Sequence, residues 1–533
     1  MTTQRQSVRL SLRAALALPL ASGVLLALSF PRPGVWPLAW IGLAPWIVAL
    51  RLGPALAAAA GSYLAGAAFF GILLWWLHLF GMSVWALAVG VLSFVFLAWG
   101  LLAQRLGRLG TSSRVLGVAV LWAALEWLRG LGRFGFSWGW LGYSQSPVLE
   151  LMPVARALGT VGLSFLMVLA NAALAEAAVS ALGSPRPARD VLRGLAWLAA
   201  VAAALLGARV WVAGLQPPDG PVVRVAVVQG SAHGPLRPEQ VNIPLTREEQ
   251  ARALRVYEEL TLEAARDRPA LVVWPESAIP GSPEQDPWIA ERMAEIAQRA
   301  QAWLIAGGPR YDAEGRIYNS AYLYGPSGNL ITHYDKVHLV PFGEYVPGRA
   351  WLPFLDRYHV REVCFTPGVV HPVIQAGTTL AVGPMICFES TFPTIAWGLA
   401  RRGAQGLVVI TNDAWFGHTA AAAQHRQIAV LRAAETGLWV FRGASTGISS
   451  VISPEGRVVS EAGLYSPAVL VEEVRLPGPD ARPAGPGPAF AWALVAAGAA
   501  FVIAPSALPR PRRRGRAAPP PGSPRRRGRA DPR

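Results

Sequence analysis

The distribution of apolar residues constrains this chain more than any other feature. Residues 1–215 are almost continuously apolar, broken only by short basic stretches, and residues 488–508 are apolar again. Between them, residues 222–476 alternate charged amphipathic segments with short Val/Ile runs, as a water-exposed α/β domain does. A helix that crosses a bilayer needs about 20 apolar residues. Stretches of that kind occur at 12–30, 35–51, 55–79, 84–104, 115–131, 156–182, 192–214 and 488–508. The expectation is a helical membrane domain over residues 1–215 with seven spans, a globular domain over 216–480, a final span at 488–508, and a disordered Pro/Arg-rich tail over 509–533. Composition agrees: charged residues are 15% of the chain, against about 25% in soluble proteins.

Arginine placement predicts orientation. Arg5, Arg9 and Arg13, then Arg51, then Arg105, Arg108 and Arg114, then Arg186, Arg189 and Arg193 fall on one set of loops, and the tail adds ten arginines to that side. The alternate loops carry Arg32, then Arg129, Arg133 and Glu150. Basic loops stay cytoplasmic, so both termini are expected inside and the globular domain outside. Because another apolar stretch follows at once, the first stretch, with Pro19, reads as a span and not as a cleaved leader. The net charge of +16 comes largely from loops and tail, and reads as orientation of spans, with no nucleic-acid partner expected. Most of the many tryptophans in this half sit near span ends, where amphipathic rings favour the interface. Glu126 and Arg129 lie one helical turn apart near such an end. They read either as an interfacial ion pair or as the lining of a lipid-accessible cleft.

In the globular part, strands are expected at 222–229, 271–276, 303–308, 318–324, 329–334, 380–387, 407–413, 438–444 and 448–453. Helices are expected at 246–267, 284–302 and 420–436, the first opened by a capping box of Thr246 and Glu249. This alternation predicts an α/β sandwich of mixed sheets. The reactive residue types fall where strands end: Glu276, Cys387, and Asn412 with Asp413. A lone cysteine at a strand end is as a rule a small core residue. Here, though, a thiol just before a helix, a carboxylate able to take its proton and a lysine able to steady an oxyanion make a Cys–Glu–Lys acyl-transfer set. The position before a helix predicts a lowered thiol pKa. Cys364 reads as a loop residue without a role and unlinked to Cys387. Two cysteines form no disulfide framework and no cysteine zinc site, and the chemistry calls for no metal or cofactor. His338 reads as structural, because Glu276 already supplies a base.

The segments W-P-E-S at 274–277, Y-D-K-V-H-L-V-P-F-G-E-Y-V-P at 334–347 and C-F-E at 387–389 resemble the nitrilase superfamily, and imply an αββα sandwich. Together with the spans, E-W-L-R-G at 126–130, G-Y-S-Q at 142–145 and N-D-A-W-F-G at 412–417, they resemble the apolipoprotein N-acyltransferase family of the bacterial inner membrane. The resemblance implies Glu276 as general base, Lys336 as oxyanion stabiliser and Cys387 as nucleophile. It implies Glu344, Glu389, Asn319 and Phe388 in support. It implies Trp415, Phe416, Trp140 and Tyr143 along the path of the lipid. Phe388 stands where the family often has Tyr, keeping the ring and losing the hydroxyl. The stretch 229–238 lacks the Trp the family tends to carry there.

The implied reaction is a two-step acyl transfer, from a membrane phospholipid (phosphatidylethanolamine by resemblance) to Cys387, then to the free amine of a diacylglyceryl apolipoprotein. A monomer is expected. The same three residues would serve a membrane-tethered amidase that uses water. A transporter with an outer binding domain, or a relative acting on another amine, also fits the layout.

Overall fold

A computed structural model describes residues 9–183, 187–231, 245–345, 364–478, 481 and 483–507. Most of the 229–238 stretch and the Arg-rich tail thus lie outside the described residues, as does 346–363, which takes in most of the apolar Pro341–Pro353 loop.

The helical part comprises α1 (Leu12–Leu28), α2 (Ala44–Leu52), α3 (Ala55–Leu73), α4 (Met82–Arg105), α5 (Thr111–Arg129), α6 (Met152–Gly183), α7 (Pro187–Ala213) and, after the globular domain, α12 (Pro488–Ala507). Among the described residues, four segments are long and apolar enough to cross a membrane: 55–73, 82–108, 149–182 and 187–213. Helix α5 carries Arg114, Glu126 and Arg129. The stretch 35–51 is not one helix: a 3-10 turn, Trp36–Trp40, is followed by the nine-residue α2. The stretch 55–79 likewise ends as α3 at Leu73 and continues as a 3-10 turn, Trp75–Phe80. Helix α6 is kinked at Gly159, whose φ of 75° is a conformation that favours glycine. Gly23 lets α1 touch α3, since a Cβ there would lie 2.2 Å from the Ala65 carbonyl oxygen; small residues permit such close crossings between membrane helices. Glu176 of α6 gathers Arg51 and Arg114 at 3.0 and 2.7 Å, tying together the end of α2 and the start of α5, which the arginine pattern places on one side.

The globular domain is two six-stranded sheets face to face. Its strands are β1 (Val222–Gln229), β2 (Leu271–Val273), β3 (Trp303–Tyr311), β4 (Ile317–Tyr324), β5 (Leu330–Asp335), β6 (Ile374–Ala376), β7 (Leu380–Ile386), β8 (Gly406–Thr411), β9 (Trp439–Ala444), β10 (Ser450–Ile452), β11 (Val458–Glu461) and β12 (Ala468–Arg475). The first sheet runs β12-β1-β2-β3-β4-β5 and the second β11-β10-β9-β8-β7-β6. Each has a parallel trio at its centre, β1-β2-β3 and β7-β8-β9, with antiparallel strands outside. Alternation along β1 sends Val225 and Val227 between the sheets and Ala226 and Val228 outward, under α8 (Arg247–Ala265) and α9 (Pro287–Ala300). Helix α8 opens on the expected Thr246–Glu249 capping box. Helices α10 (Pro393–Arg401) and α11 (Ala421–Thr436) cover the second sheet, and their apolar residues join one continuous core with the membrane helices. The result is an αββα sandwich seated on the helical domain through its α10–α11 layer.

Of the expected strands that end early, three do so at a functional segment. Strand β2 stops at Val273 because Pro275 has no N–H for the ladder. Strand β7 stops at Ile386 and β8 at Thr411. Strands β6, β11 and β12 were not anticipated: they are short or half-exposed, and β12 pairs with β1 from the far end of the domain.

Candidate active site

Glu276 leaves the sheet three residues after β2, and its neighbour Ser277 takes a φ of +59°. The turn passes so close to β3 that a Cβ on Gly307 would lie 2.6 Å from the Glu276 Cα. Glu276 is almost fully buried. Its Oε1 accepts from Asn319 Nδ2 at 2.6 Å, and its Oε2 from the Asn412 backbone N–H at 2.6 Å. Lys336, 1% exposed, directly follows β5. Its Nζ lies 2.9 Å from Glu344 Oε1 and 3.8 Å from Glu276 Oε1. Asn319 also donates to Glu344 Oε1 at 2.9 Å, so one amide holds both carboxylates.

Cys387 begins a 3-10 turn, Cys387–Thr391, directly after β7. Its φ is +53°, a strained value for a non-glycine residue. The thiol is half-buried and is not bridged to Cys364. Such strain persists only where surrounding bonds over-determine it, and here they do. Glu389, fully buried, accepts from the N–H groups of Val337 (2.8 Å) and His338 (3.0 Å), from the Tyr334 hydroxyl (2.7 Å) and from the Ile386 N–H (2.8 Å). It thus staples the lysine segment to the cysteine turn. The Cys387 carbonyl accepts from Ser390 Oγ at 2.8 Å and lies 3.3 Å from His425 Nε2. His425 in turn meets Asp413 at 3.1 Å, and Asp413 meets Arg442 at 2.7 Å.

The electrostatics correct one expectation. Burial, then the nearby Glu276, push the Cys387 thiol above its ordinary pKa, and Lys336 only partly offsets them. A start at a five-residue turn does not outweigh that. The cysteine therefore rests as a thiol. Burial works against the Lys336 ammonium, but Glu344 and then Glu276 outweigh it and raise its pKa, so it stays charged. Burial raises the Glu276 carboxyl against the pull of Lys336. Two carboxylates and one ammonium, all buried, can accept one proton from the thiol at constant net charge. That is the requirement for a base that makes a thiolate on demand beside a cation.

The structure thus brings together Glu276, Lys336, Cys387, Asn319 and Glu344, with Glu389 and Phe388 in the adjoining turn. Phe388 packs edge-on against Phe392, at a ring separation of 5.1 Å. His338 packs on the same Phe392 at 4.0 Å. Trp415 and Phe416 lie in a 3-10 turn after β8. They face the membrane domain, Trp415 stacked on Phe80 at 6.2 Å and Phe416 edge-on to Trp76 at 4.9 Å. Trp140 and Tyr143 are each 1% exposed and stack on one another at 5.9 Å. Expected along a lipid path, they are closed into the junction between the domains, and the Tyr143 hydroxyl donates to the Thr391 carbonyl at 3.3 Å. The sequence reading missed His425 and Arg442, and the bonding of Asp413. The available signal was α11 itself, which buries Gln424, His425, Gln427, Arg432 and Glu435 together.

A nitrilase-type sandwich with a Cys–Glu–Lys centre, mounted on membrane helices, defines the class. Comparison with known proteins agrees: residues 224–480 match the carbon-nitrogen hydrolase family, and residues 22–173 match the apolipoprotein N-acyltransferase N-terminal domain. An apolipoprotein N-acyltransferase from Geobacter metallireducens is 37% identical over 500 residues, 91% of this chain and 93% of that protein. One from Azotobacter vinelandii is 33% identical over 491 residues, covering 86% and 88%. An amidase of the nitrilase superfamily from Nesterenkonia aligns with 49% of this chain and 94% of its own, at 22% identity and a TM-score of 0.37. The chain belongs to the apolipoprotein N-acyltransferase family, and is an acyltransferase of the membrane.

Proposed function

We propose that the chain moves a fatty acyl group from a membrane phospholipid to the N-terminal amine of a diacylglyceryl-cysteine apolipoprotein, through a thioester on Cys387. The observation that carries this reading is the gathering of half-buried Cys387 with buried Glu276 and Lys336 in a domain whose α10–α11 layer shares its core with membrane helices.

In the first half, Glu276 takes the proton of the Cys387 thiol, and the thiolate attacks the ester carbonyl carbon. The tetrahedral oxyanion forms beside Lys336, which is already charged and needs no reorganisation. Collapse expels the lysophospholipid alkoxide, which takes the proton back from Glu276. In the second half, the acceptor amine attacks the thioester. Glu276 takes a proton from the amine, the amide leaves, and the cysteine regains its proton. Asn319 and Glu344 keep Glu276 and Lys336 in register throughout. Trp415 and Phe416, at the membrane-facing end, fit the entrance for an acyl chain. The arginine pattern, with Arg51 and Arg114 meeting at Glu176, supports a cytoplasmic position for the helix ends that carry those arginines and an outer position for the site. The chain is proposed to work as a monomer, with phosphatidylethanolamine as donor.

The test is intact-protein mass spectrometry after incubation with phosphatidylethanolamine vesicles, followed by a synthetic diacylglyceryl peptide. The expected result is a gain of one acyl chain, absent in Cys387→Ala, that the peptide discharges as an N-acyl product. A thioester that water clears as fast as the peptide does would point instead to a tethered hydrolase.

A further inference from the structure

Glu126 and Arg129 use their side chains on the backbone of the loop that follows α5. Glu126 Oε1 accepts from the Leu141 N–H at 2.7 Å. Arg129 donates to the Phe136 and Trp138 carbonyls, each at 2.8 Å. The Phe136 N–H returns a bond to the Arg129 carbonyl at 2.8 Å. A loop at the end of a membrane helix is thereby clamped at three points, by two charges that are costly to keep there.

What the clamped loop presents is specific. Ser137, fully buried, donates its hydroxyl to the Thr391 carbonyl at 2.7 Å. The Tyr143 hydroxyl donates to the same oxygen at 3.3 Å. Trp138 donates to Gln424 at 2.8 Å, and its ring lies 5.5 Å from that of His425, the group facing the Cys387 carbonyl. Thr391 is the last residue of the turn that Cys387 opens. A 3-10 turn rises about 2 Å per residue and has little slack. Within the globular domain, Glu389 and Ser390 hold the start and middle of this turn, and Arg432 reaches its end at 3.3 Å. The shortest bond at that end comes from the helical domain.

We propose that the Ser137–Tyr143 loop, clamped by Glu126 and Arg129, is a positioning element for the nucleophile, so that the membrane domain sets the angle at which the Cys387 turn leaves its strand. This rests on Cys387 being the reactive thiol. The loop touches no reacting atom; it acts through the Thr391 carbonyl.

The discriminating measurement is the reaction of Cys387 with iodoacetamide, a small water-soluble reagent that needs no lipid path. The rate is resolved by site against Cys364 and followed across pH. In full-length Ser137→Ala/Tyr143→Phe the Cys387 rate is expected to fall by about fivefold for each of the two hydrogen bonds removed. Acyl-enzyme formation should fall in parallel, the pH profile should shift, and Ser137→Thr should restore both. If the double variant does not fold, Ser137→Ala alone is read in the same way. A Cys387 alkylation rate and pH profile equal to the parent's, or a faster rate, would overturn the proposal, even with acyl transfer impaired, because the loop would then act on lipid access alone. Failure of the parent protein to form any acyl thioester would instead overturn the functional reading, and would leave the alkylation comparison intact.

Discussion

At the scale of single residues, the proposed site pairs a carboxyl that is reluctant to ionise with a lysine that is not. Because burial raises the Glu276 pKa, the acid limb of Cys387 acylation should lie above the ordinary carboxylate value of 4.5. Activity is present where Glu276 is ionised and is lost as pH falls through its raised pKa. Stopped-flow acylation across pH checks this, and an acid limb at or below the ordinary value would contradict it. Glu276→Gln should cost about 10²–10⁴ in acylation rate, the usual range for a positioned base. Asp413 behaves in the opposite sense. Burial opposes its charge, but Arg442 and His425 hold it at about 2. Its contribution to stability is present above the unfolded carboxylate value of 3.8 and fades as pH falls toward 2. Asp413→Asn leaves Arg442 buried and unpaired, and should destabilise the protein by about 3–5 kcal/mol at neutral pH. The deficit, read by thermal unfolding, should shrink on acidification. Glu276, Lys336 and Cys387 were legible in the sequence because each is a reactive residue type within a distinctive local string. The Asp413–His425–Arg442 chain was not, because its members come from a strand end, a helix and another strand, and no spacing encodes their meeting.

At the scale of elements, the period-2 alternation of β1 and the capping box of α8 were readable because they are local. Strand ends were not, because what stops β2 and β7 is the demand of the site: a proline without an N–H, and a cysteine in a left-handed conformation. Strand β12 pairs with β1 across nearly the whole domain, so its half-exposed, charge-bearing pattern carries no sign of its partner. The close passage of β3 beneath Glu276 makes a prediction of its own. Gly307→Ala places a methyl 2.6 Å from the Glu276 Cα and 2.7 Å from the Pro275 carbonyl. Overpacking of this kind costs about 1–3 kcal/mol. The shift should fall on the base, so acylation should drop more than the unfolding temperature does. By contrast Thr246→Ala removes an exposed cap whose bonds stay within the first turn of α8; it should cost about 1 kcal/mol and leave acylation unchanged.

At the scale of the whole molecule, sidedness can be read directly. In a Cys364→Ser/Cys387→Ala background, a cysteine at Val369, 91% exposed on the globular domain, should react with a membrane-impermeant maleimide in intact spheroplasts. One at Arg108, beyond α4, should react only after lysis. The reverse pattern would invert the proposed orientation. That the chain carries apolar helices before and after the globular domain was legible from apolar length alone, and among the described residues four of them are long enough to cross a membrane. The broken second segment and the kink at Gly159 were not, since hydropathy records how apolar a stretch is and not where its backbone bends.

Helix α11 bears on how such a molecule can move. Its Gln424 donates to the carbonyls of Pro31 and Leu73 in the helical domain, and its Glu435 accepts from the Thr160 backbone and hydroxyl. One helix is thus moored at its first turn and at its last to separate parts of the membrane bundle, while its middle carries groups that hold the cysteine turn. A body moored at two points along its length cannot swing end over end about either one. The cysteine turn is therefore held in one relation to the bundle, which is the alignment the proposed transfer would need.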